Sequence, residues 1–193
     1  MVKSASISDG RKEHLGIPPS FFSAKWEDWT TELPGQREWA TTAYVFAGDL
    51  EKNLELGKGL TLLGKVGTGK SMLAALIALE AEGLHRSACF IKEKDLFDAI
   101  RAGWDVSGYD EKYHLRRYRN CRLLVIDDFD VRKQTEYVGE IYQDILDARY
   151  EQKLSTLLTS NTHIDDLTER YPRQMDRLAR NEVVVMTGES MRG

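Results

Sequence analysis

The sequence predicts an α/β domain built on a largely parallel sheet, and three observations carry that expectation. Five short apolar runs (LTLLG, ACFI, LLVIDD, STLLTS and EVVVM) have the length and composition of strands buried on both faces. They alternate with longer stretches whose apolar residues recur at helical spacing. A glycine-rich loop, GKVGTGKS, stands between the first run and the helix that follows it. The chain of 193 residues is long enough for one ordinary domain with a short appendage.

Residues 1–35 read as an extended or mobile leader, and 36–193 as the domain proper. The leader is polar at first, closes on Ile17-Pro18-Pro19, and continues into WEDWTTELPGQ, which reads as a loop. From Gln36, the spacing of Trp39, Ala43, Phe46 and Leu50 predicts a helix that the charged EKNLELG closes. Gly57 and Gly59 lead into the first strand. Leu73, Leu76, Ile77 and Leu84 stripe a helix beginning at Lys70. A strand over Ala88 to Ile91 and a helix over DLFDAIRAGW come next, then a polar, Tyr- and Arg-rich segment from Val106 to Asn120. After the strand LLVIDD, Val138, Ile141, Ile145 and Ala148 line one side of a helix from Thr135 to Gln152. STLLTSN gives a fourth strand, Ile164 to Ala179 short helices, and EVVVMTGE a fifth strand. There is no internal repeat and no low-complexity tract.

Composition removes several functional classes. With 41% hydrophobic and 30% charged residues, the chain can bury a core and stay in water. A net charge of -4 argues against bulk electrostatic binding of nucleic acid while leaving room for a local basic patch. Cys89 and Cys121 lack CxxC or Cys/His spacing, so they read as reduced core thiols rather than metal ligands. Neither an apolar signal segment nor a membrane-length run occurs, so no membrane partner is expected and the expected compartment is cytoplasmic.

GKVGTGKS, Gly64 to Ser71, fits the phosphate-binding pattern G-x-x-x-x-G-K-[ST] in the strand–loop–helix setting that its mechanism requires. Backbone N–H groups of such a loop turn toward phosphate oxygens, and the helix N-terminus adds partial positive charge. Gly64, Lys65, Val66, Gly67, Thr68, Gly69, Lys70, Ser71 and Met72 are therefore the expected nucleotide-binding residues. Lys70 would reach the β- and γ-phosphates, and the Ser71 hydroxyl would ligate Mg²⁺, making ATP and Mg²⁺ the expected ligands. LLVIDD ends a dry strand in two carboxylates, which are costly to bury unpaired. Asp127 suits the metal side of the site beside Ser71, and Asp128 suits orienting the attacking water or accepting its proton. A pair that merely caps a strand end is the plainer alternative. Asn161, after the fourth strand, is placed to hydrogen-bond the γ-phosphate or the water, although a strand-end Asn is often a turn residue.

With these elements in order, the chain resembles the AAA+ ATPases, and within them the bacterial helicase loaders typified by DnaC and DnaI. IstB-type transposition helper ATPases are relatives of that branch. GKGLTLLGKVGTGKSMLAALIALEA, ACFIKEKDLFDAIRAGW, CRLLVIDDFDVRKQTEYVGEIYQDILDARY, STLLTSN, MDRL and GESMR carry the resemblance, which runs from about Trp26 onward. It implies a P-loop NTPase with a three-layer α/β/α core, a five-stranded parallel sheet and a C-terminal helical lid reduced or absent. It further implies Walker A at Gly64 to Ser71, Walker B at Asp127 and Asp128, and sensor 1 at Asn161. Arg177 matches the arginine that reaches a neighbouring subunit's γ-phosphate, and Arg192 the sensor 2 arginine. Three departures stand out. Lys65-Val66 replaces a common proline-rich loop, Asp130 replaces a common glycine, and only about 35 residues occupy the place of the loaders' helicase-gripping domain.

In loader and initiator relatives, the segment after the second strand holds single-stranded DNA. Here it mixes Arg101, Arg116, Arg117 and Arg119 with Phe97, Trp104, Tyr109, Tyr113 and Tyr118. Cations that track phosphates beside stacking aromatics suit single strands, whereas a solvated helix pair packing its aromatics inward is the alternative. Trp26, Trp29 and Trp39 read as core or adenine-side packing. The resemblance implies an ATP-hydrolysing assembly factor that self-associates in an ATP-dependent oligomer, binds single-stranded DNA and delivers a replicative helicase. Rival readings are a transposition helper on duplex DNA and an adaptor in which ATP is a switch without hydrolysis. A small-molecule kinase is remoter, because no acceptor site is evident.

Overall fold

Five parallel strands form one sheet in the computed structural model, which describes residues 7–28, 36–104, 111–130 and 135–187. β1 (Leu60–Gly64), β2 (Ala88–Lys92), β3 (Leu123–Phe129), β4 (Ser155–Ser160) and β5 (Glu182–Met186) lie in the order β2-β3-β4-β1-β5. Three helices precede β1: α1 (Asp9–Leu15), α2 (Gln36–Gly48) and α3 (Leu50–Leu56). Parallel neighbours need crossovers, and helices supply them. α4 (Lys70–Gly83) follows β1, α5 (Glu93–Trp104) and α6 (Glu111–Asn120) follow β2, and α7 (Glu136–Glu151) follows β3. α8 (Ile164–Arg170) and α9 (Pro172–Arg177) join β4 to β5.

Alternation along the strands sorts the side chains into two cores. Leu60, Leu62, Ala88, Phe90, Leu123, Val125, Leu157 and Val184 face a layer containing α2, α3 and α4. Leu63, Cys89, Leu124, Ile126 and Leu158 face the opposite layer, built from α5 to α9. The result is the three-layer α/β/α arrangement expected, with both sheet faces dry except at the edge strand β5, where Val183 and Val185 are exposed. α4 lies under the sheet's centre because Ala74, Ala75 and Ala78 let it approach while Leu73 and Ile77 fill the gaps.

Three local expectations change. The described leader is packed rather than extended: α1 and two 3₁₀ turns, at Pro19–Phe21 and Trp26–Asp28, put Leu15, Ile17 and Trp26 into the α4-side core. Gly16 makes this possible. Its φ of +86° ends α1, and a Cβ there would lie 2.1 Å from the Phe90 carbonyl oxygen. The helix expected from Gln36 through EKNLELG is broken at Gly48-Asp49, where helix propensity is low, and Asn53 Nδ2 donates to the Phe46 carbonyl across the break (3.0 Å). The polar segment before β3 contains α6, which buries Leu115 and Tyr118 against the second core.

Candidate nucleotide-binding site

The phosphate-binding loop enters α4 without a side-chain cap, its N-cap Gly69 being left-handed at φ +89°. The first amides of α4 therefore rely on something other than a side chain to accept from them. Lys70 is almost fully buried, and its Nζ donates to the carbonyls of Gly64 and Lys65, both at 2.8 Å. The Thr68 hydroxyl donates to the same Lys65 carbonyl at 2.9 Å. These bonds fold the loop around its own ammonium group.

Period-two alternation turns Asp127 to the same face as Leu123 and Val125, the face that carries Ser71 on α4. Asp127 Oδ1 accepts from the Thr159 hydroxyl at 2.7 Å, and the Thr159 oxygen in turn accepts from the Asp128 N–H at 3.0 Å. Oδ2 is buried with no hydrogen-bond partner among the described residues. Burial pushes the Asp127 pKa up, with Asp128 adding to it. The Thr159 and Ser71 hydroxyls and the Lys92 charge favour the ionised form without overcoming that burial. An orphaned buried carboxylate oxygen beside a serine hydroxyl fits a hard divalent cation, which takes few protein ligands and completes its shell with water and phosphate. Mg²⁺ bound there would neutralise charge on phosphate oxygens.

Alternation alone would send Asp128 to the far side. Instead its φ is +56°, and the β3–β4 register shifts between Ile126 and Phe129. This irregularity re-aims Asp128, as bulges beside functional sites do. Asp128 consequently lines the same cavity as Asp127, a cleft of about 590 Å³.

Val66, Gly67, Gly69, Lys70, Ser71, Met72 and Asn161 also line this cleft. So do four residues absent from the sequence-based expectation: Pro18, Ser20 and Phe21 from the leader, and Lys92 at the end of β2. Ile17-Pro18-Pro19 marks the turn that brings the leader there, but nothing local signals its destination. Thr159 was also missed. The pairing of β4 with β3 is what sets it against Asp127, and no single stretch of sequence shows that pairing.

Arg177 lies apart from the cleft. Its Nε donates to Asp147 Oδ1 (2.6 Å), its Nη1 to Asp176 Oδ2 (2.5 Å), and its guanidinium sits over the Tyr150 ring, 5.1 Å from the centroid. Burial alone would raise the Asp147 pKa, but hydrogen bonds from Arg177 and Gln143 hold it low. Arg192 lies outside the described residues, as do Trp29 and Tyr109.

The four arginines expected to meet DNA are not presented as one set. Arg116 is exposed. Arg117 turns back onto the protein, its Nε donating to Cys89 Sγ at 3.1 Å and its Nη2 to the His14 carbonyl. Arg119 pairs with Asp144 at 3.4 Å. Arg101 is on α5, with its side chain outside the described residues, like those of Trp104 and Tyr113. Phe97 and Tyr118 belong to the core, as do Trp26 and Trp39. No described helix is long and apolar enough to cross a membrane.

Comparisons with known proteins give the family and the fold. The family described as IstB-like ATP binding protein matches residues 52–193. The replicative helicase loader DnaC of Escherichia coli K12 is 29% identical over 164 residues, covering 84% of this chain and 66% of its own length. DnaI of Bacillus subtilis, also a replicative helicase loader, is 28% identical over 116 residues, 60% of this chain and 37% of its own length. The chain thus spans about two thirds or less of these relatives. A crystal structure of the DnaC helicase loader superposes with a TM-score of 0.75 at 26% identity, covering 88% of this chain and all of that one. A DnaI structure (TM-score 0.73, 22% identity, covering 89% of this chain and 95% of that one) shares the fold. So does DnaA bound to AMPPCP and single-stranded DNA (0.71, 18%, covering 90% and 51%).

Proposed function

The chain belongs to the IstB-like ATP binding protein family, and from that premise we propose that it is a Mg²⁺-dependent ATPase acting in DNA replication as a helicase-loader-like factor. The observation that carries the reading is the single cleft of about 590 Å³ in which the phosphate-binding loop, Asp127, Asp128 and Asn161 meet. In this account the uncapped amides of α4 and the loop bind phosphate, and Lys70 exchanges its carbonyl partners for phosphate oxygens. Ser71 and Asp127 hold Mg²⁺. Thr159 locks Asp127 in orientation, which preorganises the metal side of the site. Asp128 orients the attacking water and accepts its proton, with Asn161 holding the γ-phosphate or that water.

Arg177 completes a neighbouring subunit's site, so turnover depends on self-association. Arg192 acts as the sensor 2 arginine. Single-stranded DNA is bound through the α5–α6 region, with Arg101, Arg116, Arg117 and Arg119 as the candidate contacts, Arg116 and Arg117 being exposed. The helicase role rests on likeness to DnaC and DnaI. A second reading, compatible with the same family match, is a transposition helper assembling on duplex DNA.

Pull-down of a hexameric replicative helicase by the chain, with and without ATP and single-stranded DNA, tests the proposal. Nucleotide-dependent capture and preference for single strands are expected. No capture, with tighter binding to duplex, would favour the transposition reading instead.

A further inference from the structure

We propose that Lys92 is a second cation for the γ-phosphate, and that it makes the cleft prefer a nucleoside triphosphate to the diphosphate; this rests on the nucleotide reading above. Lys92 closes β2 and is the register partner of Asp127 on β3. Register partners on parallel strands project to the same face, and side chains two apart on a strand do likewise. Ala88 and Phe90 belong to the α4-side core, whereas Cys89 and Ile91 pack on the other. Lys92 therefore leaves the sheet on the side of α4 and the phosphate-binding loop, beside Asp127. It lines the cleft together with Lys70, Ser71, Asp127, Asp128 and Asn161.

Charge explains why a lysine is useful there. The strand-end wall of the cleft presents two carboxylates, Asp127 and Asp128. A γ-phosphate arriving at that wall meets like charge, which one bound divalent ion offsets only in part. Lys70 is enclosed by the loop, its ammonium donating to the carbonyls of Gly64 and Lys65. Lys92 is exposed, and among the described residues its ammonium forms no ion pair. Its charge already acts on Asp127. A diphosphate, ending one group short, would leave Lys92 in solvent.

Titration of the full chain with a fluorescent nucleotide analogue, displaced by MgATP or MgADP, tests this, with thermal unfolding as a check on folding. For Lys92→Gln the expected result is about tenfold weaker ATP binding with ADP binding held within about twofold, the scale of one lost charge-assisted hydrogen bond. Lys92→Arg should keep the preference for ATP. Equal losses for both nucleotides, or no loss for either, would overturn the proposal by showing that Lys92 only balances Asp127. Lys70→Ala separates the two layers of inference. If it weakens both nucleotides while Lys92→Gln keeps the wild-type ATP-to-ADP ratio, the nucleotide reading stands and the Lys92 assignment falls. If the wild type binds neither nucleotide, both fall.

Discussion

Asp130 shows how much a single residue can hold that its identity alone does not announce. Its φ is +71°, a left-handed conformation that glycine takes freely and that Asp tolerates better than most residues with a Cβ. What this chain gains instead is a nearly sealed carboxylate. Oδ2 accepts from the Thr162 hydroxyl (2.9 Å) and from Arg170 Nη1 (2.6 Å), and Oδ1 accepts from the Tyr171 hydroxyl (3.0 Å). Burial and the bond to this carboxylate together raise the Tyr171 pKa. These bonds tie the end of β3 to the loop after β4 and to the end of α8. Asp130→Ala keeps the backbone strain and loses all three bonds, so a loss of roughly 3 kcal/mol in chemical denaturation is expected. Asp130→Gly loses the bonds but relieves the strain, and should be about 1 kcal/mol more stable than the alanine variant. Equal stabilities would contradict this account. Lys70, Ser71, Asp127 and Asp128 were legible because their motif is local in sequence. Thr159 and Lys92 were not, because each acts across a strand pair whose adjacency no single stretch of sequence specifies.

At the level of elements, α9 carries Arg177, proposed above to complete a neighbouring subunit's site. Arg177 is held to Asp147 on α7 and to Asp176 at the surface, with its side chain about one third exposed. Such pairs contribute little to stability. Arg177→Ala should therefore leave the unfolding midpoint near wild type while removing ATP turnover. Mixing it with Lys70→Ala should restore part of that turnover, because one subunit supplies an intact site and the other the missing arginine. Full activity in Arg177→Ala alone would contradict a role in trans. Strands and long helices were legible from period and composition, as α4 and α7 show. α1 was not, since only Leu15 and Ile17 in a polar tract face the core and the decisive fit is Gly16 against the Phe90 carbonyl. The α2–α3 break was signalled by Gly48-Asp49, but the apolar period continues through it to Leu50 and Leu54.

For the whole molecule, sheet order converts separate motifs into one site. Placing β1 between β4 and β5, and β3 between β2 and β4, brings the phosphate-binding loop, both aspartates and Asn161 to the carboxyl end of one sheet. Only the order of motifs along the chain could be read beforehand; their convergence depends on pairings between residues such as Leu63 and Ser160, nearly a hundred positions apart. In the proposed function this convergence hydrolyses ATP, with Asp128 managing the water. Asn tolerates the left-handed backbone at that position, so Asp128→Asn removes the charge and proton acceptor with little disturbance of the turn. The most direct measurement is phosphate release beside equilibrium ATP binding for wild type and Asp128→Asn, with helicase and single-stranded DNA present. The account predicts unchanged binding and turnover reduced by about a hundredfold or more; turnover equal to wild type would contradict it.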